Sequence, residues 1–271
     1  MITEYCNYLR AIRGYSENTI KSYRNDLYMF TAWVRSCCEH KRWSELTRED
    51  IDAFITHQHS KGLKPSTTNR QLAAISSLYH YMMREGLNVK NPCQYESRRK
   101  LPQKTPTTIP TNDIKRAYEH AKGSVKLMIG LLATTGIRIQ EMLDLTWNDL
   151  DFENATVHVN GKGSKERVVK TSEDVLALIS NMRQWSKPDM RLFYQSQRSA
   201  RALIEEALRP YTNSPYRNPH SIRHTYATEL AKNGENNVTI AKILGHSRIE
   251  TSQRYIDFAQ IPTSQKGVSL I

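Results

Sequence analysis

Four short stretches in the second half of the sequence carry side chains suited to holding an anion. The first is Thr134-Thr135-Gly136-Ile137-Arg138-Ile139-Gln140-Glu141. Arg138 follows a glycine turn and opens a helix, where backbone N–H groups also point at an anion. Glu141, three residues on, shares that helix face and can orient the guanidinium, although the same spacing also describes an ordinary surface ion pair. The second stretch is Gly161-Lys162-Gly163-Ser164-Lys165. Its glycines let the backbone approach a groove closely, and Lys162 either touches a phosphate or donates a proton. The third is Pro219-His220-Ser221-Ile222-Arg223-His224. A helix starting near Ser221 brings His220 and Arg223 to one anion site at its N-terminus. His220 and His224 have the spacing of a helical zinc pair, but Ser221 stands where the HExxH pattern has its glutamate. No metal site is therefore assigned, and His224 reads as a satisfied structural histidine. The fourth is Leu244-Gly245-His246-Ser247, with Tyr255 nine positions after His246. Gly245 ends one helix, His246 faces the loop, and the next helix carries Tyr255 about two turns on.

These side chains need a scaffold, and residues 109–271 read as one mixed, mostly helical domain. Asp113 caps a first helix, and Val125 to Thr134 is apolar enough for a buried one. Thr156-Val157-His158-Val159 alternates like a strand, and Arg167-Val168-Val169 returns as its partner. The basic stretch around Lys162 and Lys165 is then the tip of a β-hairpin. Further helices are expected near 172–184, 198–209, 221–233, 236–244 and 248–257.

Residues 1–90 read as a small bundle of four helices. Tyr5, Leu9 and Ile12 recur at helix spacing up to Gly14. Ser16 caps a second helix, on which Ile20, Tyr23, Leu27, Phe30 and Val34 form a stripe. Thr47, with Asp50 three residues on, opens a third carrying Ile51, Phe54 and Ile55. Ser66, after Pro65, starts a fourth carrying Leu72, Ile75, Leu78, Tyr79 and Met82, and Gly86 ends it. Phe30, Trp33 and Tyr79 are core residues on this reading rather than platforms for bases. Residues 91–108 join the two parts as a basic, proline-punctuated linker in which Arg98, Arg99 and Lys100 can lie along a phosphate backbone.

The 271-residue chain has a formal net charge of +12, with its excess of lysine and arginine spread along its length. That surplus points to a polyanionic partner. No apolar run reaches the roughly 18 residues that cross a bilayer, and the N-terminus lacks the features of a secretory signal. A cytoplasmic protein without a membrane partner is expected. Cys6, Cys37, Cys38 and Cys93 form no CxxC pair and read as reduced thiols.

The ordered set Arg138, Lys162, His220, Arg223, His246 and Tyr255 resembles the tyrosine recombinase (phage integrase) family. The surrounding segments "TGIRIQEMLDLTWNDLDF", "GKGSKERVV", "HSIRHTYATEL" and "LGHSRIETSQRYI" resemble it too. The N-terminal "SENTIKSYRNDLYMF" is similar to the core-binding, SAM-like domain of the family's Xer-like, simple-site branch. The likeness spans nearly the whole chain.

This resemblance implies a mainly helical protein with two DNA-binding parts closing as a C-shaped clamp. It implies Tyr255 as nucleophile, Arg138 and Arg223 on the phosphate, His246 beside them, His220 as candidate base and Lys162 as candidate acid, with no cofactor. It further implies double-stranded DNA with short inverted-repeat core sites, and a tetramer joined through the tail 256–271. Arg70 and Arg201 are expected on the DNA, from helices in the major groove. A helical part beginning near Met1 favours simple sites over distant arm sites. Three alternatives stay open: an inactive DNA-binding protein of the same fold, a metal-dependent hydrolase using His220, His224 and His246, and a type IB topoisomerase.

Overall fold

Helix-period apolar stripes build the first of two units, Met1–Gln103, and a helical layer around a small sheet builds the second, Lys104–Ile271. The computed structural model describes residues 1–38, 41–94, 105–161, 166–181, 187–246 and 250–259. Among these no helix is long and apolar enough to cross a membrane. The basic segment with Arg98, Arg99 and Lys100, the hairpin tip with Lys162 and Lys165, and the tail from residue 260 onward lie outside the described residues.

The described helices of the first unit are α1 (Ile2–Ala11), α2 (Glu17–Cys37), α3 (Arg48–Ser60) and α4 (Pro65–Arg84). The Ser16 side chain caps α2 by accepting from the Thr19 N–H. Asp50 accepts from the Thr47 N–H at 2.8 Å and closes the expected box on α3. Two boundaries differ from the sequence reading. α1 stops at Ala11, so Ile12 is its C-cap and is 65% exposed rather than core. α4 starts with Pro65 in its first turn and Lys64 as N-cap, because the missing proline N–H would have no partner there anyway. Phe30 and Phe54 meet edge-on at 4.9 Å, and Trp33 stands against Phe54 at 5.3 Å. Tyr79 is buried and donates its hydroxyl to the Trp43 carbonyl at 2.7 Å. All three aromatics are core, as expected.

The second unit contains α5 (Thr111–His120), α6 (Gly123–Thr135), α7 (Ile139–Asp144), α8 (Glu173–Ser180), α9 (Gln197–Leu208), α10 (Pro219–Lys232), α11 (Asn237–Leu244) and α12 (Glu250–Ala259). Asp113 lies in the first turn of α5 and does not cap it; Pro110 holds the N-cap position. The helix expected over 172–184 is described only as far as Ser180. Buried α6 runs through the core, with Leu127 to Leu132 all buried.

The sheet has strand order β1-β2-β3, formed by Leu150–Asp151, Thr156–Asn160 and Glu166–Lys170, all antiparallel. The register pairs Val157 with Val169 and Val159 with Arg167. Strand alternation sends Val157, Val159 and Val169 inward and leaves Val168 55% exposed. Arg167 lies two positions from Val169, so the same alternation turns its long side chain toward the interior.

One ion pair in the first unit changes what Arg70 can do. Asp26 is 1% exposed, and Arg70 meets it with Nε at 2.8 Å and Nη2 at 2.9 Å. Two of the guanidinium donors expected on DNA are therefore committed within the fold. Removing Arg70 strands a buried carboxylate, so Arg70→Ala should lower stability by about 2 kcal/mol. Pairing Arg70→Met with Asp26→Asn should recover part of that loss. Urea unfolding followed by tryptophan fluorescence measures both, and an unchanged midpoint for Arg70→Ala contradicts the assignment.

Candidate active site

Two helix ends carry the centre of the second unit. α6 and α11 each stop at a left-handed glycine, Gly136 (φ +62°) and Gly245 (φ +64°). A helix end leaves its last carbonyls without intrahelical partners, and here arginines take them. Arg223, on α10, donates Nη1 to the Gly136 carbonyl and Nη2 to the Leu244 carbonyl, both at 2.7 Å. Arg138 donates Nη2 to the Gly245 carbonyl at 3.1 Å. A side chain at position 136 would also run into the Tyr226 ring, so glycine is required there by contact as well as by φ.

Glu141 ties the second arginine down. It is 8% exposed and accepts from Arg138 Nη1 at 2.6 Å, from the Arg138 N–H at 2.8 Å and from Arg167 Nη2 at 2.7 Å. Burial alone would raise its pKa, but the hydrogen bonds and charge of Arg167 and Arg138 hold the carboxyl below its usual range. Arg167 also donates Nε to the Ile243 carbonyl at 2.8 Å. Strand β3, helix α7 and the end of α11 are thus joined through one inward-facing arginine.

Arg138, Gln140, Arg198, Arg201, His220 and Arg223 are among the residues lining a cavity of about 560 Å³. Arg223 is only 2% exposed, whereas Arg138 is 41% exposed at its side chain. Burial, and next the charge of Arg138, bring the Arg223 guanidinium down to about 10, so it remains charged at neutral pH. Arg201 pairs with Glu205 at 2.8 Å while lining the same cavity, so it joins the cluster rather than standing apart.

The anion site expected from backbone N–H groups is built differently. Asn218 caps α10 and accepts from the His220 and Ser221 N–H groups at 3.0 and 3.1 Å. The Arg138 N–H is taken by Glu141. Side-chain cations, not helix ends, supply the positive field of the cavity.

Tyr255, on α12, packs against Ala227, Ile240 and Leu244 and is fully buried. Its hydroxyl lies 2.7 Å from His224 Nδ1 and accepts from Arg254 Nη2 at 2.9 Å. The His246 ring lies parallel to the phenol at 6.3 Å, and His246 Nδ1 is 2.8 Å from the Ser252 hydroxyl. His220 stands edge-on to His224 at 4.2 Å. The five described members of the predicted set, Arg138, His220, Arg223, His246 and Tyr255, therefore converge in one region. Sequence reasoning left out Arg167 and Arg254 and gave His224 a structural part or, in one alternative, a metal. The inward parity of Arg167 on its strand was the one available signal; nothing local in the sequence ties His224 to a tyrosine 31 positions away.

The imidazoles are neutral. Burial, and then His220 and the arginines Arg254 and Arg223, push His224 down to about 3. Burial and the charges of Arg223, Arg138 and Arg254 push His246 to about 3 as well. Below pH 6.5, roughly the unfolded histidine value, the unfolded chain binds protons that the folded one refuses. Stability should therefore be level above about pH 7 and fall as pH drops from 6.5 toward 3. Urea midpoints measured between pH 7 and 4 should decline less in His246→Gln than in the wild type; equal slopes contradict the assignment.

Residues 107–260 match the phage integrase family, and residues 2–86 match the N-terminal SAM-like domain of phage integrases. The tyrosine recombinase XerD of Yersinia pestis is 28% identical, covering 96% of this chain and 93% of the relative. The tyrosine recombinase XerC of Pediococcus pentosaceus is 26% identical, covering 94% and 92%. The crystal structure of XerH site-specific recombinase bound to palindromic difH substrate is similar with a TM-score of 0.77 at 18% identity, covering 96% of this chain and 82% of that one. A lambda integrase dimer bound to a COC′ core site gives 0.70 at 15% identity, covering 94% and 76%. At these identities the solved structures speak to the fold: mostly helical, with a small antiparallel sheet. With more than half its length inside the family match, and relatives aligned along nearly all of it, the chain belongs to the phage integrase family, on its Xer-like tyrosine recombinase branch.

Proposed function

We propose that this chain is a site-specific DNA recombinase that breaks and rejoins strands through a bond between Tyr255 and a phosphate. The observation that carries the reading is the convergence of a buried phenol, two anchored arginines and neutral imidazoles beside one cationic cavity.

A DNA phosphodiester repels nucleophiles, and its five-coordinate transition state places more charge on the non-bridging oxygens. Arg223 and Arg138 have each committed donors to carbonyls or to Glu141. A guanidinium has five N–H donors, so each keeps others for those oxygens. Because their anchors are in place beforehand, little reorganisation is needed as charge develops. His246 adds a neutral hydrogen-bonding group. The phenol oxygen forms its bond to phosphorus as the bond to the 5′ oxygen breaks. The phenol proton, directed at His224 before reaction, must leave for a base as the phosphorus bond forms, and His220, edge-on to His224, is the candidate. Burial, and next the charges of Arg223, Arg254 and Arg138, hold His220 below its ordinary pKa, and the charge of a bound phosphate offsets the arginine part. Lys162, outside the described residues, is the candidate acid that protonates the departing 5′ oxygen.

The products are a 3′-phosphotyrosine and a free 5′-hydroxyl. The ester energy stays in the covalent link, so rejoining consumes no nucleotide. Attack by the 5′-hydroxyl of a second duplex exchanges strands, and two rounds through a Holliday junction complete recombination. On this reading the partner is double-stranded DNA with short inverted-repeat core sites. Residues 1–90 and 109–271 are the core-binding and catalytic domains, 91–108 is the basic linker, and four protomers join through the tail 256–271. Arg98, Arg99, Lys100, Lys165 and Arg201 are candidate phosphate contacts, and binding should weaken steeply with salt.

A duplex selected by the protein from a random-sequence pool, then nicked near its centre, serves as a trapping substrate. Wild type should form a covalent adduct with equal yield in EDTA, and Tyr255→Phe should form none. Arg138→Ala and Arg223→Ala should each slow adduct formation by about 10²–10³. Tight binding without any adduct would support the inactive DNA-binding alternative, and loss of activity in EDTA the metal-dependent hydrolase.

A further inference from the structure

The phenol of Tyr255 has a partner that the proposed chemistry does not use. His224 is 6% exposed and its Nδ1 stands 2.7 Å from the hydroxyl oxygen; Arg254 Nη2 stands 2.9 Å from the same oxygen. The Arg254 guanidinium also lies 4.9 Å from the centre of the ring. No other hydrogen bond to this hydroxyl occurs among the described residues.

A phenol oxygen has one hydrogen and two lone pairs, and a guanidinium can only donate. Arg254 therefore occupies one lone pair. The hydroxyl hydrogen needs an acceptor, and the ring nitrogen of His224 is the one within reach. That assignment fixes the tautomer, with the His224 proton on Nε2 and a bare Nδ1. With the hydrogen pinned to His224 and one lone pair held by Arg254, the second lone pair remains for phosphorus.

We infer that His224 is a positioning residue for the nucleophile, accepting the Tyr255 hydroxyl hydrogen so that the free lone pair faces its target. The inference rests on Tyr255 being the nucleophile. It differs from the role given to His220, because His224 orients the phenol without keeping its proton. Protonated His224 would be a third cation beside Arg254 and Arg223, with little water to screen it. Bare Nδ1 is therefore the form that persists at neutral pH, and His224 holds the hydroxyl through an acceptor bond alone.

A bare acceptor and a proton-carrying base predict different results. With the nicked, pool-selected duplex, His224→Ala should slow adduct formation at saturating DNA by about tenfold to hundredfold. Its apparent Kd should stay within about twofold of wild type, as expected for a group that acts on the reacting geometry. His224→Asn places an amide oxygen near the former Nδ1 and should restore the rate to within a few fold of wild type, with the same pH profile between 6 and 9. A wild-type rate in His224→Ala, or an Asn variant as slow as the Ala variant, overturns the inference.

Nitrogen-15 NMR of the unsubstituted protein gives an answer independent of variant folding. His224 Nδ1 should have the chemical shift of an unprotonated ring nitrogen, and Tyr255→Phe should move it. A protonated Nδ1 overturns the inference. If Tyr255→Phe still yields an adduct, the nucleophile assignment itself has failed. If Tyr255→Phe abolishes the adduct while His224→Ala reacts normally, only the role of His224 has failed.

Discussion

A charged guanidinium is buried almost completely at the centre of the second unit. Taking such a group out of water costs several kcal/mol unless its donors are matched. Arg223 is matched by the carbonyl of Gly136 and by that of Leu244, the last residue of α11. The negative ends of two helix dipoles thus converge on one cation. This constraint explains why α6 and α11 stop where they do. Each ends in a left-handed glycine, and both glycines touch residues of the same centre: Tyr226 beside Gly136 and Arg167 beside Gly245.

The rest of the site adjusts to that charge. Glu141 is the carboxylate that balances it, and it does so at a distance, through Arg138 and Arg167. The cavity side keeps an excess of positive charge, with Arg138, Arg198, Arg201 and Arg223 around it. Burial, and next that same field, keep the imidazoles neutral, so a histidine beside the phenol accepts a hydrogen bond where a charged one would donate. A phosphate is the kind of ligand that would relieve this field, and the protein need only bring the phenol to it. Placing Tyr255 on α12, packed against α10 and α11, links the phenol and the cations through a few short helices.

Much of this was legible in the sequence because local rules carry it. The stripe Ile20, Leu27, Phe30, Val34 and the cap Ser16 report a helix directly, and both occur in α2. The pairing of Arg138 with Glu141 follows from helix spacing, and Gly245 announces a helix end. Less legible were features set by contacts across long sequence separation. Arg70 gives part of its guanidinium to Asp26, a buried carboxylate 44 positions earlier that no local spacing announces. Arg167 looked like a strand residue near a basic tip, yet its alternation turns it toward Glu141. His224 looked like spacing for a metal or for nothing, because the partner that gives it meaning arrives with α12. The backbone N–H groups expected to bind the anion were taken by Asn218 and Glu141, side chains that fill such positions in ordinary capping.

On the proposed function, this cationic centre presents one phosphate to one phenol. Mass spectrometry of the trapped complex, after nuclease and protease digestion, tests it most directly. A single modified peptide, with a nucleotide joined to Tyr255 through its 3′ phosphate, is expected. A nucleotide joined through a 5′ phosphate, or carried by any other residue, would contradict it.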